Sequence, residues 1–308
     1  MNGTDPACEV QSNGDADIEN AGIVSAPLWD SKTSTFAGLL TVTDYLNVVQ
    51  YYNKNTDRLK DVEKLQLSDL RGKDAYLASP FAPLTNFPLG VERHIGVNPP
   101  ETISTSPTGQ LYNALTKMLV SRARRIPLIS YDDQTQRANV TSVITQYRIL
   151  KFIALNVVGT ERLRKPLSLL KLGTSKDICR CSMETPVLDV IQEMVDRNIS
   201  SVPVVTTDNV LLNVFEAVDV INLLSSNDYS NLSWSVGRAL LERNPSHPGI
   251  YTCTPEDGLD TIFETIRKSR VHRLVIVGEG NELKGVLSLS DILHYILIDG
   301  DDGTGTRP

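Results

Sequence analysis

Cysteine is scarce in this chain of 308 residues, and so are other features that would place it in a familiar chemical class. Cys8, Cys179, Cys181 and Cys253 are too few and too scattered for a disulfide framework. Cys179-x-Cys181 has no zinc-site partners, so the thiols read as packing groups in a reducing compartment. No apolar run approaches the roughly 20 residues that a spanning helix needs, and the N-terminal stretch is polar rather than signal-like, so no membrane is expected. Without a secretion signal, the Asn-x-Ser/Thr triplets at Asn139 and Asn198 carry no meaning. A net charge of −7 argues against nucleic acid as a partner. A Gly-rich phosphate loop, a metal cluster and a nucleophile–base pair are all missing, so neither an enzyme nor a metal or cofactor is expected.

What is present is repetition. Residues Thr254 to Leu297 read as helix, strand, turn, strand, helix. Thr254-Pro255 resembles a helix cap with proline at the first helical position and Asp257 reaching back to it. Leu259, Ile262, Phe263 and Ile266 then form an apolar stripe, Leu274 to Val277 and Gly285 to Leu289 form strands, and Ser290-Asp291 opens a second helix. The same order recurs from Thr185-Pro186 through the helix Val220 to Leu224, and from Ser106-Pro107 through the helix Ile149 to Leu155. Only its back half recurs between Ser25 and Val49. A spacing of 71 residues from Arg148 to Asp219 and 72 from Asp219 to Asp291 confirms the register.

With 41% apolar and 22% charged residues, the chain has material for two domains. The expected organisation is a disordered N-terminus (1–20), an incomplete repeat one (21–54), a proline-rich insertion (73–88), repeat two (96–160), repeat three (171–226), repeat four (245–299) and a disordered tail (300–308). Residues 62–70 read as a connecting helix, and repeat one lacks its covering helix.

The repeat resembles the cystathionine-β-synthase (CBS) domain, a βαββα unit that pairs into Bateman modules. Ala26 to Lys32, Thr145 to Phe152, Val271 to Leu274 and Ser288 to Leu293 are similar to the gamma-subunit family of AMP-activated protein kinase in its fungal sucrose-non-fermenting form. The resemblance covers roughly residues 23–297. It implies an α/β (α+β) fold of four tandem CBS repeats in two Bateman modules, packed head to head as a disk, with the first repeat truncated. It implies a non-catalytic subunit that binds AMP, ADP and ATP in its clefts, assembles with a kinase catalytic (alpha) subunit and a beta scaffold subunit, and resides in cytoplasm and nucleus. Thr174, Ser200, Ser201, Arg243 and Ser288 line nucleotide sites by the same resemblance. Arg124 and Tyr147 stand where animal members carry His and Lys, and Val24 stands in place of a phosphate-binding Arg, which implies a weaker site at Asp44.

The residue types suit that role. An Asp at a helix start just after a strand can accept from both hydroxyls of a ribose. Asp44, Asp219 and Asp291 hold that position in repeats one, three and four. Repeat two places Arg148 there, after Thr145, and a guanidinium cannot accept. The alternative is that each Asp only favours the helix dipole. Phosphate calls for cations, and Arg124-Arg125 and His272-Arg273 fall at one register of repeats two and four, so they converge if the modules face each other. Helix C-terminal cations, or a satisfied core histidine, are the alternative there. Two functional expectations stand: an adenine-nucleotide sensor, or an interaction scaffold of the kinase complex with little nucleotide regulation.

Overall fold

The computed structural model describes residues 25–30, 35–54, 103–156 except 136, 163–224, and 229–298 except 244, 246 and 248. The expectations for residues 1–20, 62–70, 73–88 and 300–308, and for Val24, lie outside them. Repeat one contributes β1 (Ser25–Asp30), β2 (Thr35–Thr41) and α1 (Val42–Lys54). Repeat two contributes α2 (Leu111–Ser121), β3 (Arg125–Tyr131), β4 (Ala138–Thr145) and α3 (Gln146–Asn156). After a short α4 (Leu167–Leu170), repeat three follows with α5 (Val187–Asp196), β5 (Ser201–Val205), β6 (Leu211–Glu216) and α6 (Ala217–Leu224). A linking helix α7 (Val236–Leu241) precedes repeat four, with β7 (Thr252–Cys253), α8 (Leu259–Lys268), β8 (Arg273–Val277), β9 (Leu283–Ser288) and α9 (Leu289–Leu297).

Each repeat is built on one antiparallel hairpin, and the register is the same in all four. Ser25 pairs with Thr41, Arg125 with Thr145, Ser201 with Glu216 and Arg273 with Ser288. The first residue of the first strand therefore sits opposite the residue that caps the following helix. The helix, strand, turn, strand, helix order read from sequence omits one element. β7 pairs parallel with β8, and single bridges from Thr105 to Leu128 and from Cys181 to Val204 stand in the same place in repeats two and three. A two-residue strand has too little periodicity to register as a pattern.

Helix starts also differ from the sequence reading. Thr254 does not begin α8: the Thr254 N–H donates to Asp257 Oδ2 at 2.7 Å as expected, but this closes a turn, and the helix starts five residues later, after Gly258. Thr185 is likewise no cap. Its Oγ1 accepts from the Ser182 N–H at 3.0 Å, and Pro186, extended at φ −60° and ψ 139°, occupies the cap position of α5. The second helices err in the other direction: α9 begins at Leu289, so Asp291 is its third residue rather than its opener.

The apolar stripes explain how the repeats assemble. Val187, Val190, Ile191 and Met194 of α5, and Leu259, Ile262, Phe263 and Ile266 of α8, are buried. A single repeat cannot cover such a stripe with one hairpin. Helices α2 and α3 of repeat two pack with α8 and α9 of repeat four around Met118, Leu150, Phe263 and Leu293. Helix α1 of repeat one packs with α5 and α6 of repeat three around Leu46, Ile191 and Phe215. The sheets pair differently. β2 lies beside β4, and the sheets of repeats three and four meet at Val205, Val214, Val275, Val277 and Leu283. There Asn209 Nδ2 donates to the Leu283 carbonyl at 3.0 Å, and the Leu283 N–H donates to the Asn209 carbonyl at 2.9 Å. Sheets thus join one to two and three to four, while helices join one to three and two to four.

The segment entering repeat three is tied to repeat four: Thr174 and Val286 exchange backbone bonds of 2.8 and 3.0 Å. Gly173, at φ +83°, is required there, because a Cβ would lie 2.7 Å from the Val286 carbonyl. The helix interface makes a direct test. Phe263 is 2% exposed, and Phe263→Ala is expected to cost about 3–5 kcal/mol by transfer and cavity terms. Urea unfolding of the variant checks this, and a loss under about 1 kcal/mol would show that the two modules do not share this core.

Candidate functional site

The recurrent register places a carboxylate at the third position of three helices, and its local geometry is the same each time. Asp44 Oδ2 accepts from the Thr41 N–H at 2.6 Å and from Thr41 Oγ1 at 2.8 Å. Asp219 Oδ2 accepts from the Glu216 N–H at 2.7 Å. Asp291 Oδ2 accepts from the Ser288 N–H and Oγ, both at 2.8 Å, and Ser288 Oγ accepts in turn from the Asp291 N–H at 3.3 Å, a complete capping box. One oxygen of each carboxylate thus serves its own helix. Arg148 in repeat two receives only the backbone version, its N–H donating to Thr145 Oγ1 at 3.2 Å; its exposed guanidinium donates to the Val143 carbonyl at 3.5 Å.

The three acids diverge beyond the cap. In Asp291 both side-chain acceptor bonds fall on Oδ2, and Oδ1 accepts none from the described residues. Asp219 is not open. It is 2% exposed, its Oδ1 accepts from Arg243 Nε at 2.8 Å, and Arg243 Nη2 pairs with its Oδ2. Arg243 also donates to Asn213 Oδ1 at 3.1 Å and to the Val214 carbonyl at 2.8 Å. Asp219 and Arg243, both expected to face a ligand, pair with each other. Asp44 is 8% exposed, and burial pushes its pKa from the ordinary 3.8 to about 6 against the opposing pull of the two Thr41 bonds.

The cations do converge. Arg125 and Arg273 begin β3 and β8, with Arg124 and His272 immediately before them, and the pairing of repeats two and four brings all four together. Burial, then the nearby Arg273 and Arg125, lowers the Arg124 pKa from 12.5 to about 10, and burial lowers that of Arg125. The His272 pKa falls below 6.5 through burial and the surrounding Arg273, Arg125 and Arg124, with Glu216 opposing. These effects favour the uncharged imidazole over the cation expected from the sequence. Arg124 and His272 are exposed, yet the protein packed behind them desolvates both. Side chains that line a concave recess have both properties, since water reaches one face while protein fills the space behind.

Three further residues belong to this recess. The Tyr147 ring meets His272 edge-on at 6.3 Å, and its hydroxyl is buried without a hydrogen-bond partner among the described residues. Leaving such a group unsatisfied costs about 1–3 kcal/mol, and an anion's oxygen would satisfy it. Glu216 lies 2.6 Å from Arg273 Nη1, and Arg273 Nη2 donates to Ser200 Oγ at 3.2 Å, which places Ser200 in the recess; Ser201 begins β5 opposite Glu216. The sequence did carry a signal for Glu216. Thr41, Thr145 and Ser288 hold the equivalent cap position in the other repeats. The arrangement can bind an anion between repeats and offer the free Asp291 oxygen to hydroxyl donors nearby.

The CBS domain family model matches residues 172–226 and 246–298. The 5'-AMP-activated protein kinase subunit gamma of Saccharomyces cerevisiae is 48% identical over 276 residues, covering 90% of this chain and 80% of that protein. The protein of the same name from Kluyveromyces lactis is also 48% identical, covering 89% and 79%. Among solved structures, an archaeal protein from Methanocaldococcus jannaschii matches with a TM-score of 0.61 at 16% identity, over 89% of this chain and 88% of that one, a likeness of fold.

The buried Asp44 yields a pH test. A carboxyl whose pKa is raised on folding holds more protons in the native state than in the unfolded one, so its contribution to stability falls as pH rises through the interval from 3.8 to about 6. Asp44→Asn keeps an acceptor for Thr41 and removes the buried charge. It is expected to match the parent near pH 4 and to exceed it by about 3 kcal/mol above pH 7, at about 1.4 kcal/mol per pH unit of displacement. Denaturant melts from pH 4 to 8 check this, and parallel curves would refute it.

Proposed function

Since the chain belongs to the family of 5'-AMP-activated protein kinase gamma subunits, a regulatory rather than catalytic class, we propose that it senses adenine nucleotides for a heterotrimeric kinase of the AMP-activated, sucrose-non-fermenting type. AMP, ADP and ATP compete for it, and the occupant alters a bound catalytic subunit by binding two states of the complex unequally. The partners are the catalytic alpha subunit and the beta scaffold subunit, in cytoplasm and nucleus. The observation that carries this reading is the recess where Arg124, Arg125 and Arg273 gather between repeats two and four, close to the start of the helix that bears Asp291. In this reading the guanidinium groups hold phosphate, Asp291 Oδ1 accepts from ribose, and Thr174, Ser200, Ser201 and Ser288 line the space between.

A second reading, a scaffold with little nucleotide regulation, draws support from the closure of the repeat-three carboxylate by Arg243 and the burial of Asp44. Kinase activity of the assembled complex decides between them. Response to AMP and ADP supports the sensor, and assembly without response supports the scaffold.

Two expected outcomes follow for the full chain in calorimetric titration. Two hydroxyl bonds to a charged acceptor, each worth roughly 1.5 kcal/mol, make Asp291→Ala weaken AMP binding on the order of 100-fold. Asp219→Ala should leave affinity unchanged while costing about 3–5 kcal/mol of stability, because it strands the buried Arg243. The reverse pattern would place the working site in repeat three.

His272 gives a third. A phosphate dianion beside it raises its depressed pKa, so the complex takes up protons and AMP binds more tightly as pH falls from 8 to 6.5. Titrations in buffers of different ionisation enthalpy measure the uptake, and His272→Asn should abolish it. Proton release on binding to the parent would contradict this assignment.

A further inference from the structure

The fold does not need the carboxylate of Glu216. At this position a helix cap requires only a backbone N–H for the Asp three residues on, and Asp219 takes that from the Glu216 main chain at 2.7 Å. The other three repeats fill the same place with the hydroxyl residues Thr41, Thr145 and Ser288. In repeat three the side chain leaves its own helix and crosses to repeat four, where Oε1 lies 2.6 Å from Arg273 Nη1, with side-chain exposures of 22% and 15%. Ser200 holds the other terminal nitrogen of the same guanidinium. An acidic residue is thus placed inside a recess otherwise lined by Arg124, Arg125 and Arg273, and close enough to His272 to oppose the fall in its pKa.

We propose that Glu216 is a built-in counter-ion that competes with phosphate for Arg273 and so sets the selectivity of the recess among phosphate chains of different length. Without ligand, its carboxylate occupies the guanidinium that a phosphate would use, so binding must displace or share that contact. Three guanidinium charges against one carboxylate leave a balance close to the charge of a nucleoside monophosphate near neutral pH. Each additional phosphate brings negative charge toward Glu216 in a desolvated space, where like charges repel strongly. The residue therefore disfavours triphosphates more than monophosphates. The proposal rests on the nucleotide reading and adds to it the origin of selectivity within the same site.

The test is titration of the full chain with AMP and with magnesium-free ATP, for the parent, Glu216→Gln and Glu216→Ser, the last restoring the hydroxyl found in the other repeats. Melting temperatures confirm that each variant is folded. Both substitutions are expected to tighten ATP on the order of tenfold, or about 1.4 kcal/mol, and AMP only about threefold, and to steepen the salt dependence of ATP binding as a cation is released. Affinities that are unchanged or weakened overturn the proposal and make Glu216 a clamp that positions Arg273. Equal tightening of AMP and ATP refutes its part in selectivity. If the parent binds neither nucleotide, the nucleotide reading itself fails, an outcome distinct from a parent that binds both while the variants behave alike.

Discussion

Everything in this molecule depends on the inability of one repeat to bury its own helices. A two-stranded hairpin covers little area, while α5 and α8 each present four buried apolar residues that need a partner. At roughly 25 cal/mol per Å² of apolar surface, leaving such a face wet would remove much of the stability of a unit this small. The repeats therefore associate twice, by sheets within a module and by helices across modules. The second association sets the ends of β3 and β8 near one another. The cationic recess is a by-product of hydrophobic burial, located where the two associations meet.

That location sets the electrostatics. Arg125 and Arg273 are half-buried beside the exposed Arg124 and His272, and burial, then mutual repulsion, lowers the pKa of Arg124 and His272. The repulsion is held by the packing around the buried Phe263 and Met118. In the proposed function an anion relieves this repulsion, the general logic of a preorganised site. The same economy appears in the carboxylates. Each Asp is recruited first to cap its helix with one oxygen, and in Asp219 that same oxygen also takes the Arg243 guanidinium.

Repetition also diverged. The Arg243 pair turns the repeat-three carboxylate into a structural element, burial pushes the repeat-one carboxylate toward neutrality, and Asp291 keeps a free oxygen among the described residues while only half-buried. Identical positions in sequence thus carry different chemistry because their second neighbours differ.

The sequence by itself determined the repeat count, the strands and the position of the acids. Runs such as Leu274 to Val277 are too apolar to lie anywhere but a buried sheet, and the 71- and 72-residue spacings leave little freedom of register. The family was legible for the same reason, since its motifs lie on the hairpins and on the helices that follow them. Helix starts were misread because Thr254 and Asp257 form a turn with the same backbone bond that a capping box would make. Only the tertiary structure decided which acids remain open. Arg243 meets Asp219 from 24 residues away, and Glu216 meets Arg273 from another repeat, 57 residues on. Neither pairing has a local signature, because electrostatic partners are chosen by proximity in space, and proximity here is set by how apolar faces pack.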